Sequence, residues 1–196
     1  MISNCFSQNN REGYLKRLES VIPVTRVGFC SWNKCKKNRH NCLDELADNH
    51  PFYLAFENSL CKDYATEKYA NTILNGRMVP IVFAKDSDVY IPNSFINANS
   101  FPTPEGLGQF LKDIIVNETQ YDQYFKWRNH YELTVPNDND FLCELCEKLH
   151  DPSQSPKTYE SMKKWLYEDA HCQRWVSNQN ANIDLPVEKS MDYFEW

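Results

Sequence analysis

The stretch FYLAFENSLCKDYATEK, residues 52–68, combines an apolar run, a polar loop and the start of a helix. The run 52–56 has the length and composition of a strand that is buried on both faces. Thr66 is a plausible N-cap, which would put Glu67 and Lys68 in the first helical turn. Unpaired N–H groups and the positive end of the helix dipole favour a bound anion at such a helix start.

Lys68 is the residue of this stretch that indicates a ligand. A lysine in the first turn is unfavourable for the helix dipole, but it would suit a bound anion such as a diphosphate. On spacing alone, an ordinary helix start with a solvated Glu67–Lys68 pair explains the pattern too. Both interpretations remain open at this point.

The remainder of the chain alternates between predicted strands and predicted helices. Two further strands are expected at 25–29 and 79–84, and residues 90–96 hold a short strand or a turn. Helical spacing of apolar residues predicts helices over 8–21, 43–50, 66–75, 103–115, 119–131 and 138–149. The last strong apolar anchors are Trp165, Leu166 and Trp175.

This alternation implies an α/β fold with a Rossmann-like parallel sheet and helices on both faces. In such folds, ligands bind outside the carboxyl ends of the strands. The rule places the residues from Asn58 to Lys68 at a ligand crevice.

The composition is that of a globular chain of one domain, or of one domain and a tail. The chain has 196 residues, 41% hydrophobic and 24% charged, and a net charge of −6. This negative charge argues against broad binding to nucleic acid phosphates. The sequence contains no GxGxxG and no GxxxxGK[ST], which excludes the common glycine-rich nucleotide loops.

Eight cysteines indicate an oxidising compartment. Zinc is the alternative, because Cys143 and Cys146 form a CxxC and His40 lies among several cysteines, but no second CxxC has zinc-ribbon spacing. We favour disulfides and predict no metal site. The disulfide candidates are Cys5, Cys30, Cys35, Cys42, Cys61, Cys143 and Cys146.

Asn117-Glu118-Thr119 is an N-glycosylation acceptor, which is used only in the secretory pathway. The first residues have no apolar segment typical of a signal peptide, and no run of about 18 apolar residues could span a membrane. A disulfide-containing chain without an export signal is expected to be part of a longer protein.

The stretch 52–68 resembles the signature of the α1,3-fucosyltransferase family, which is close to FYLxFENSxCxDYVTEK. This chain has Ala65 where valine is usual, and Phe83-Ala84 where Leu-Gly is common. The resemblance extends to about Trp175. It includes the segments ISNC with Arg11, VPIVFA, YIPNSFI, YFKWR, the late CxxC and KWL.

The resemblance implies a set of donor-binding residues. In that family the arginine that follows SNC contacts the diphosphate of the nucleotide sugar, which makes Arg11 a candidate. Lys68 would hold the same diphosphate, and the carboxylate at the position of Glu67 contacts the fucose. Glu67 and Lys68 are therefore the catalytic candidates. The complete donor-binding set is Asn4, Arg11, Asn58, Ser59, Tyr64, Thr66, Glu67 and Lys68.

The resemblance also implies an activity and a domain organisation. The family transfers L-fucose from GDP-fucose to a glycan hydroxyl with inversion, typically α1,3 to GlcNAc on a glycoprotein or glycolipid. We expect residues 1–175 to form the GDP-fucose-binding half of a GT-B enzyme, followed by a loosely ordered tail at 176–196. The acceptor domain, the general base and the membrane anchor of a type II Golgi protein would lie outside this chain. No motif requires a covalently bound cofactor or a divalent metal.

Other interpretations remain open. Asp86-Ser87-Asp88 resembles the metal–diphosphate DxD motif of another glycosyltransferase fold, but a surface turn explains three such residues better. The chain could be a nucleotide-sugar-binding module without turnover. It could also be a secreted interaction domain stabilised by disulfides, which would have no affinity for nucleotides.

Overall fold

Three parallel strands form the centre of the fold. A computed structural model describes residues 7, 9–28, 31, 39–84, 89–135, 137–153, 155–156, 158–177 and 181–184. The sheet consists of β1 (Phe52–Leu54), β2 (Val79–Val82) and β3 (Ile96–Asn97), in the order β1-β2-β3. Both pairings are parallel, with Leu54 opposite Ile81 and Ile81 opposite Ile96. The predicted parallel sheet is therefore confirmed.

The described chain also contains helices and a second sheet of two antiparallel strands. The α-helices are α1 (Arg11–Leu18), α2 (Arg39–Ala47), α3 (Glu67–Asn75), α4 (Pro104–Ile115), α5 (Glu118–Asp122) and α6 (Asp138–His150). Short 3-10 helices occupy Ala98–Ser100 and Gln123–Asn129, and a π-helix occupies Lys164–Glu168. The strands β4 (Gln173–Val176) and β5 (Ala181–Asp184) pair antiparallel.

Pro80 lies within the central strand, where its missing N–H could interrupt pairing. It stands opposite Tyr53 of β1, whereas β3 begins opposite Ile81, one residue further along. Val79 donates its N–H to the carbonyl of Pro51 on the β1 side. The N–H of a residue after Val79 would point to the other side, where β3 has not yet begun, so the strand tolerates proline here.

Two apolar clusters cover the two faces of the sheet, because alternate residues of a strand point to opposite faces. One cluster includes Leu54, Phe56, Ile81 and residues of α1 and α4. The other contains residues of α2 and α3 with alternate strand residues, namely Leu43, Tyr53, Ala55, Tyr69, Ile73, Met78 and Val82. Helices on both faces are therefore confirmed.

The helix starts and ends that rest on local sequence signals agree with prediction. Thr103 accepts a hydrogen bond from the N–H of Gly106 and caps α4, which begins at Pro104. Helix α3 ends at Gly76, which has a φ of 71°. Glycine adopts this left-handed conformation without a Cβ clash, which favours the end of α3 at this position.

Other predicted elements differ from the structure. Residues 25–28 contain a single β-bridge at Val27 instead of a strand. Helix α2 begins and ends earlier than the predicted 43–50, and the predicted helix 119–131 is divided into α5 and a 3-10 helix. The division agrees with tertiary contacts in this region, since Tyr121 donates to the carbonyl of Pro51 and Trp127 is buried.

The end of the described chain also departs from expectation. Trp175 is buried as predicted, whereas the expected anchor Trp165 is 45% exposed. Residues of the segment expected to be loosely ordered form β5 and pair with β4. The apolar residues that predicted α6 lie on its exposed surface, namely Phe141, Leu142, Leu145 and Leu149.

Candidate functional site

The candidate site lies at the carboxyl end of β1. After Leu54 the chain continues through buried Ala55 and Phe56 into the loop 57–66, and α3 begins at Glu67. The N–H of Ala55 donates to the carbonyl of Ile81, so the extended backbone continues beyond β1. The loop therefore lies at the carboxyl end of the sheet, as predicted, and the binding of a ligand there stays a prediction.

Glu57 is the centre of the polar contacts in this loop. Its Oε1 accepts the backbone N–H of Thr66 at 2.7 Å. Its Oε2 accepts the hydroxyl of Thr66 at 2.6 Å and the ammonium of Lys68 at 2.8 Å. The Glu57 side chain is only 8% exposed, so these charge-assisted hydrogen bonds are shielded from water.

Lys68 lies in the first turn of α3, as the sequence predicts. Its Nζ is 2.8 Å from Glu57 Oε2, 2.7 Å from Thr66 Oγ1 and 3.7 Å from Glu67 Oε1. Its side chain is 17% exposed. Lys68 is therefore an anchored cation at the rim of the loop and not the freely solvated lysine of the simpler interpretation.

Thr66 occupies the predicted N-cap position of α3 but does not cap with its side chain. Its hydroxyl donates to Glu57 and accepts from Lys68. The hydroxyl oxygen, which would accept a backbone N–H in a helix cap, instead accepts from the Lys68 ammonium.

Arg11 is the first residue of α1 and is 1% exposed. Its Nη1 donates to the carbonyl of Phe56 at 3.0 Å, and its Nε donates to Glu12 at 3.2 Å. A solvated arginine on an exposed helix face is therefore excluded. The guanidinium lies directly beneath the start of the candidate loop.

Tyr64 and Glu67 lie on the exposed side of the site. Tyr64 is 37% exposed, and the Glu67 side chain is 50% exposed. Partial burial raises the pKa of Tyr64, and the negative charges of Glu57 and Glu67 raise it further, while Arg11 opposes them. The Tyr64 hydroxyl therefore lies within electrostatic range of Glu57, Glu67 and Arg11.

The remaining donor-binding candidates are Ser59, Asn58 and Asn4. Ser59 is buried, while Asn58 is half-buried and its side chain has no hydrogen-bond partner within the described ranges. Asn4 lies outside the described residues, as does the DxD-like stretch 86–88.

The loop is fixed to the end of the chain by a disulfide and by backbone pairing. Cys61 and Cys172 form a disulfide across 111 residues of sequence. Lys62 donates its N–H to the carbonyl of Ala170, and Gln173 donates its N–H to that of Leu60, both at 2.7 Å. These three links hold both sides of Cys61 in place.

The turn before α1 adds a third contact to this arrangement. Asn9 is 2% exposed, and its Nδ2 donates to the carbonyl of Glu57 at 2.9 Å. Its own carbonyl accepts the N–H of Trp175, and the Asn10 side chain donates to the Trp175 carbonyl, both at 3.0 Å. Three distant segments therefore meet behind the candidate loop.

The cysteine predictions have a mixed outcome. Cys61 is disulfide-bonded as predicted, and so is Cys42, which the alternative assigned to a Cys/His cluster. Cys172 was not among the candidates. Cys143 and Cys146 are free and exposed on α6, so they do not pair with each other, and their part in a disulfide stays a prediction. Cys5, Cys30 and Cys35 lie outside the described residues.

Asn117, the candidate glycosylation site, is exposed and caps α5 by accepting the N–H of Gln120. Within the described ranges, no group of three or more His, Cys, Asp or Glu side chains is arranged to hold a metal ion. No helix in the described part of the chain is long and apolar enough to cross a bilayer.

Sequence reasoning missed Glu57, Asn9 and Cys172. Glu57 had a detectable signal, because it is the first polar residue after a buried strand at the predicted ligand edge. Asn9 and Cys172 had none, because their contacts join segments that are far apart in sequence.

Comparison with known protein families shows to which family the chain belongs. Residues 1–165 match the model of the C-terminal part of glycosyltransferase family 10, the fucosyltransferases. The chain belongs to this family. The predicted relationship to α1,3-fucosyltransferases is confirmed.

Two curated relatives illustrate the similarity. Alpha-(1,3)-fucosyltransferase C of Drosophila melanogaster is 37% identical over 176 residues, which cover 88% of this chain and 40% of the relative. The mouse 4-galactosyl-N-acetylglucosaminide 3-alpha-L-fucosyltransferase 9 is 37% identical over 174 residues, 85% of this chain and 46% of the relative. The chain thus spans less than half the length of these enzymes.

Crystal structures of an α1,3-fucosyltransferase share the fold. The structure with GDP-fucose aligns with a TM-score of 0.52 at 20% identity. The alignment covers 80% of this chain and 48% of the crystallised chain. The structure with GDP has a TM-score of 0.53 at 22% identity. The predicted GT-B type of α/β fold is confirmed.

Proposed function

We propose that this chain is the donor-binding part of a fucosyltransferase and that it binds GDP-fucose at the carboxyl end of β1. The observation that carries the proposal is the anchored ammonium of Lys68, in the first turn of α3 at the ligand edge of the sheet. Family membership supports it, since this position belongs to the family signature. The related crystal structures contain GDP-fucose and GDP.

In the proposed reaction, a glycan hydroxyl attacks the anomeric carbon of fucose and GDP leaves, with inversion at that carbon. Negative charge develops on the leaving diphosphate, and the ammonium of Lys68 stabilises it. Arg11 acts through its positive charge from beneath the loop, because its guanidinium is buried and already donates to Phe56. Divalent metal is not required in this proposal.

The exposed residues of the site are proposed to contact the sugar. The Glu67 carboxylate orients the fucose and offsets positive charge at its ring in the transition state. Tyr64 and Asn58, both within reach of solvent, donate hydrogen bonds to sugar or phosphate oxygens. Asn4, Ser59 and Thr66 complete the proposed donor set.

The proposal has a cellular context. The acceptor is a glycan hydroxyl, typically that of GlcNAc in α1,3 linkage, on a glycoprotein or glycolipid. The chain functions in the Golgi lumen as part of a type II membrane protein, with residues 1–175 as the donor-binding domain. Asn117 is exposed, as a glycosylated asparagine must be.

Calorimetric titration of the disulfide-intact chain with GDP-fucose tests this proposal, with GDP-mannose as the control ligand. We expect GDP-fucose to bind more tightly than GDP-mannose. Lys68→Ala should weaken binding by about tenfold or more, the value of a lost charge-assisted hydrogen bond. Lys62→Ala is the matched control, because Lys62 is an exposed lysine of the same stretch and should leave the affinity unchanged. Absence of binding by the folded chain would contradict the proposal.

A further inference from the structure

We infer that Glu57 is a positioning residue that holds Lys68 in the geometry required by the donor diphosphate. This inference rests on the proposed function, because it assigns a role within the same site. Glu57 itself does not touch the donor. Its carboxylate is 8% exposed, and its two oxygens accept from Thr66 and Lys68.

The ammonium of Lys68 has three N–H donors, and the structure accounts for two of them. One points to Glu57 Oε2 and one to Thr66 Oγ1. The Glu67 carboxylate, at 3.7 Å, is beyond hydrogen-bond distance. Within the described residues, one N–H therefore remains for a ligand oxygen, and the side chain is 17% exposed.

Anchoring matters because lysine has a long and flexible side chain. An unanchored lysine would lose rotamer freedom when it binds a phosphate, which opposes binding. Glu57 removes part of this freedom before the ligand arrives. Preorganisation of this kind improves affinity by lowering the ordering cost of binding.

Glu57 also fixes the backbone from which Lys68 extends. Its Oε1 accepts the N–H of Thr66, the residue immediately before α3. Through its other oxygen it holds the Thr66 hydroxyl, which is itself a partner of Lys68. One buried carboxylate thus sets both the start of the helix and the end of the lysine side chain.

Glu57→Gln separates positioning from simple loop stability, because it keeps the size of the side chain. The amide has one oxygen and one NH2 group, whereas the native environment offers donors to both positions. In one orientation the amide NH2 faces the Thr66 N–H, and in the other it faces the Lys68 ammonium. In both cases two donors meet, and one hydrogen bond is lost. Glu57→Asp keeps both acceptor oxygens on a side chain shorter by one methylene.

The test is a double-mutant cycle for GDP binding with the full chain, using Glu57→Gln, Lys68→Ala and the double variant. We expect Glu57→Gln to weaken GDP binding about tenfold. The double variant should bind no more weakly than Lys68→Ala alone, and Glu57→Asp should restore part of the affinity. Guanosine, which has no phosphate, should bind all variants equally.

Three results would overturn the inference: wild-type affinity of Glu57→Gln for GDP, additive effects of the two substitutions, or an equal loss of guanosine affinity. The last would identify a purely structural role. If the wild-type chain binds neither GDP nor GDP-fucose, the proposed function fails as well. If the wild-type chain binds both ligands and the Glu57 variants bind GDP with wild-type affinity, the proposed function stands and only the positioning role of Glu57 is wrong.

A second measurement is independent of nucleotide binding. Acylation of lysines, followed by mass spectrometry, reports the accessibility of each ammonium group. We expect Lys68 to react several-fold faster in Glu57→Gln than in the wild type, because it loses its charge-assisted partner. Lys62 is the internal reference, since it is exposed in the same stretch. Equal Lys68 reactivity in both proteins would show that Glu57 does not hold this side chain.

Discussion

Arg11 donates from Nη1 to the carbonyl oxygen of Phe56 at 3.0 Å, and both residues are buried. The bond joins the first residue of α1 to the backbone just after β1, which are 45 residues apart in sequence. It supplies a hydrogen-bond donor for the Phe56 carbonyl, which lies just beyond the end of β1 at the candidate site. Arg11 therefore has a structural role that does not depend on any ligand.

Arg11→Ala is expected to destabilise the fold, because it leaves the buried carbonyl of Phe56 without its donor. The loss should be about 1–3 kcal/mol in the free energy of unfolding, the usual cost of an unsatisfied buried group. Urea denaturation followed by circular dichroism measures it. Lys16→Ala, on the exposed side of the same helix, is the control and should change stability by no more than about 0.5 kcal/mol. Equal stability of both variants would contradict the assigned role.

The disulfide between Cys61 and Cys172 is expected to stabilise the chain substantially. It joins residues 111 apart, and its removal restores much conformational freedom to the unfolded state. Cys172→Ala combined with Cys61→Ala should lower the free energy of unfolding by about 2–5 kcal/mol. Thermal unfolding of the oxidised proteins measures this loss.

The free cysteines of α6 provide the matched control for that experiment. Cys143 and Cys146 are exposed and unpaired, so replacing both with serine should leave the melting temperature nearly unchanged. Thiol titration of the unfolded, unreduced wild-type chain should also detect both of them. A large destabilisation by the α6 substitutions would show that these cysteines are not free.

Gly108 of α4 lies close to Val21, which follows α1 in the chain. A Cβ atom at this position would be 2.9 Å from Cβ and Cγ1 of Val21, a β-branched side chain that moves little. Gly108→Ala should therefore destabilise the protein by about 1–3 kcal/mol, as expected for overpacking.

Gly106 on the same helix is the control for Gly108. A Cβ atom there would meet only Thr103 Oγ1 at 3.4 Å, and the residue is exposed. Gly106→Ala should be neutral or stabilise the helix by up to about 1 kcal/mol, because alanine loses less backbone entropy. Differential scanning calorimetry of the two variants compares them. Destabilisation of the same size at both positions would contradict the packing explanation.

Buried tyrosines predict a loss of stability at high pH. Burial raises the pKa of both Tyr90 and Tyr121 to about 12 in the folded state. An unfolded tyrosine has a pKa of about 10. Because the folded pKa is the higher one, the stabilising contribution is complete below about pH 10 and is lost as the pH rises towards about 12.

Urea denaturation between pH 8 and pH 12, with absorbance at 295 nm to follow ionisation, measures this dependence; these conditions span the window of about 10 to 12. Tyr90→Phe should be less sensitive to alkali than the wild type, since it removes one of the groups concerned. An unchanged free energy of unfolding through this range would contradict the burial of these hydroxyls.

The parts of the fold that follow from local sequence were predictable. The apolar runs before Glu57 and around Ile81 gave the two main strands, while Thr103-Pro104 and Gly76 marked helix ends through their own backbone preferences. Each of these signals acts within a few residues. They needed no knowledge of the tertiary structure.

The errors involve contacts between distant segments. The cysteine pattern alone did not show that Cys172 pairs with Cys61, since connectivity depends on the folded chain. The periodicity of α6 predicted a helix correctly, but could not show that its apolar residues, such as Phe141, are exposed. Hydrophobic periodicity identifies a face and not its partner.

The positions of Thr66 and Lys68 at the start of a helix were predicted, whereas their roles in donor binding stay predictions. Lys68 and Thr66 lie where the helix-start signal placed them. The role of Glu57 was not accessible, because hydrogen bonds between a loop carboxylate and a residue 11 positions later depend on the course of the loop. Sequence thus identified the cation, and the structure identified the group that holds it.

A crystal structure of this chain with GDP-fucose would give the distances from the diphosphate oxygens to Lys68 Nζ. We predict a diphosphate at the carboxyl end of β1, with one oxygen about 2.7–2.9 Å from Lys68 Nζ, while Glu57 keeps its own contact with that ammonium. A nucleotide bound elsewhere would show that Lys68 does not hold the donor diphosphate. An example is the apolar cleft at the opposite end of the sheet, which Pro51, Leu54 and Ile81 help to line.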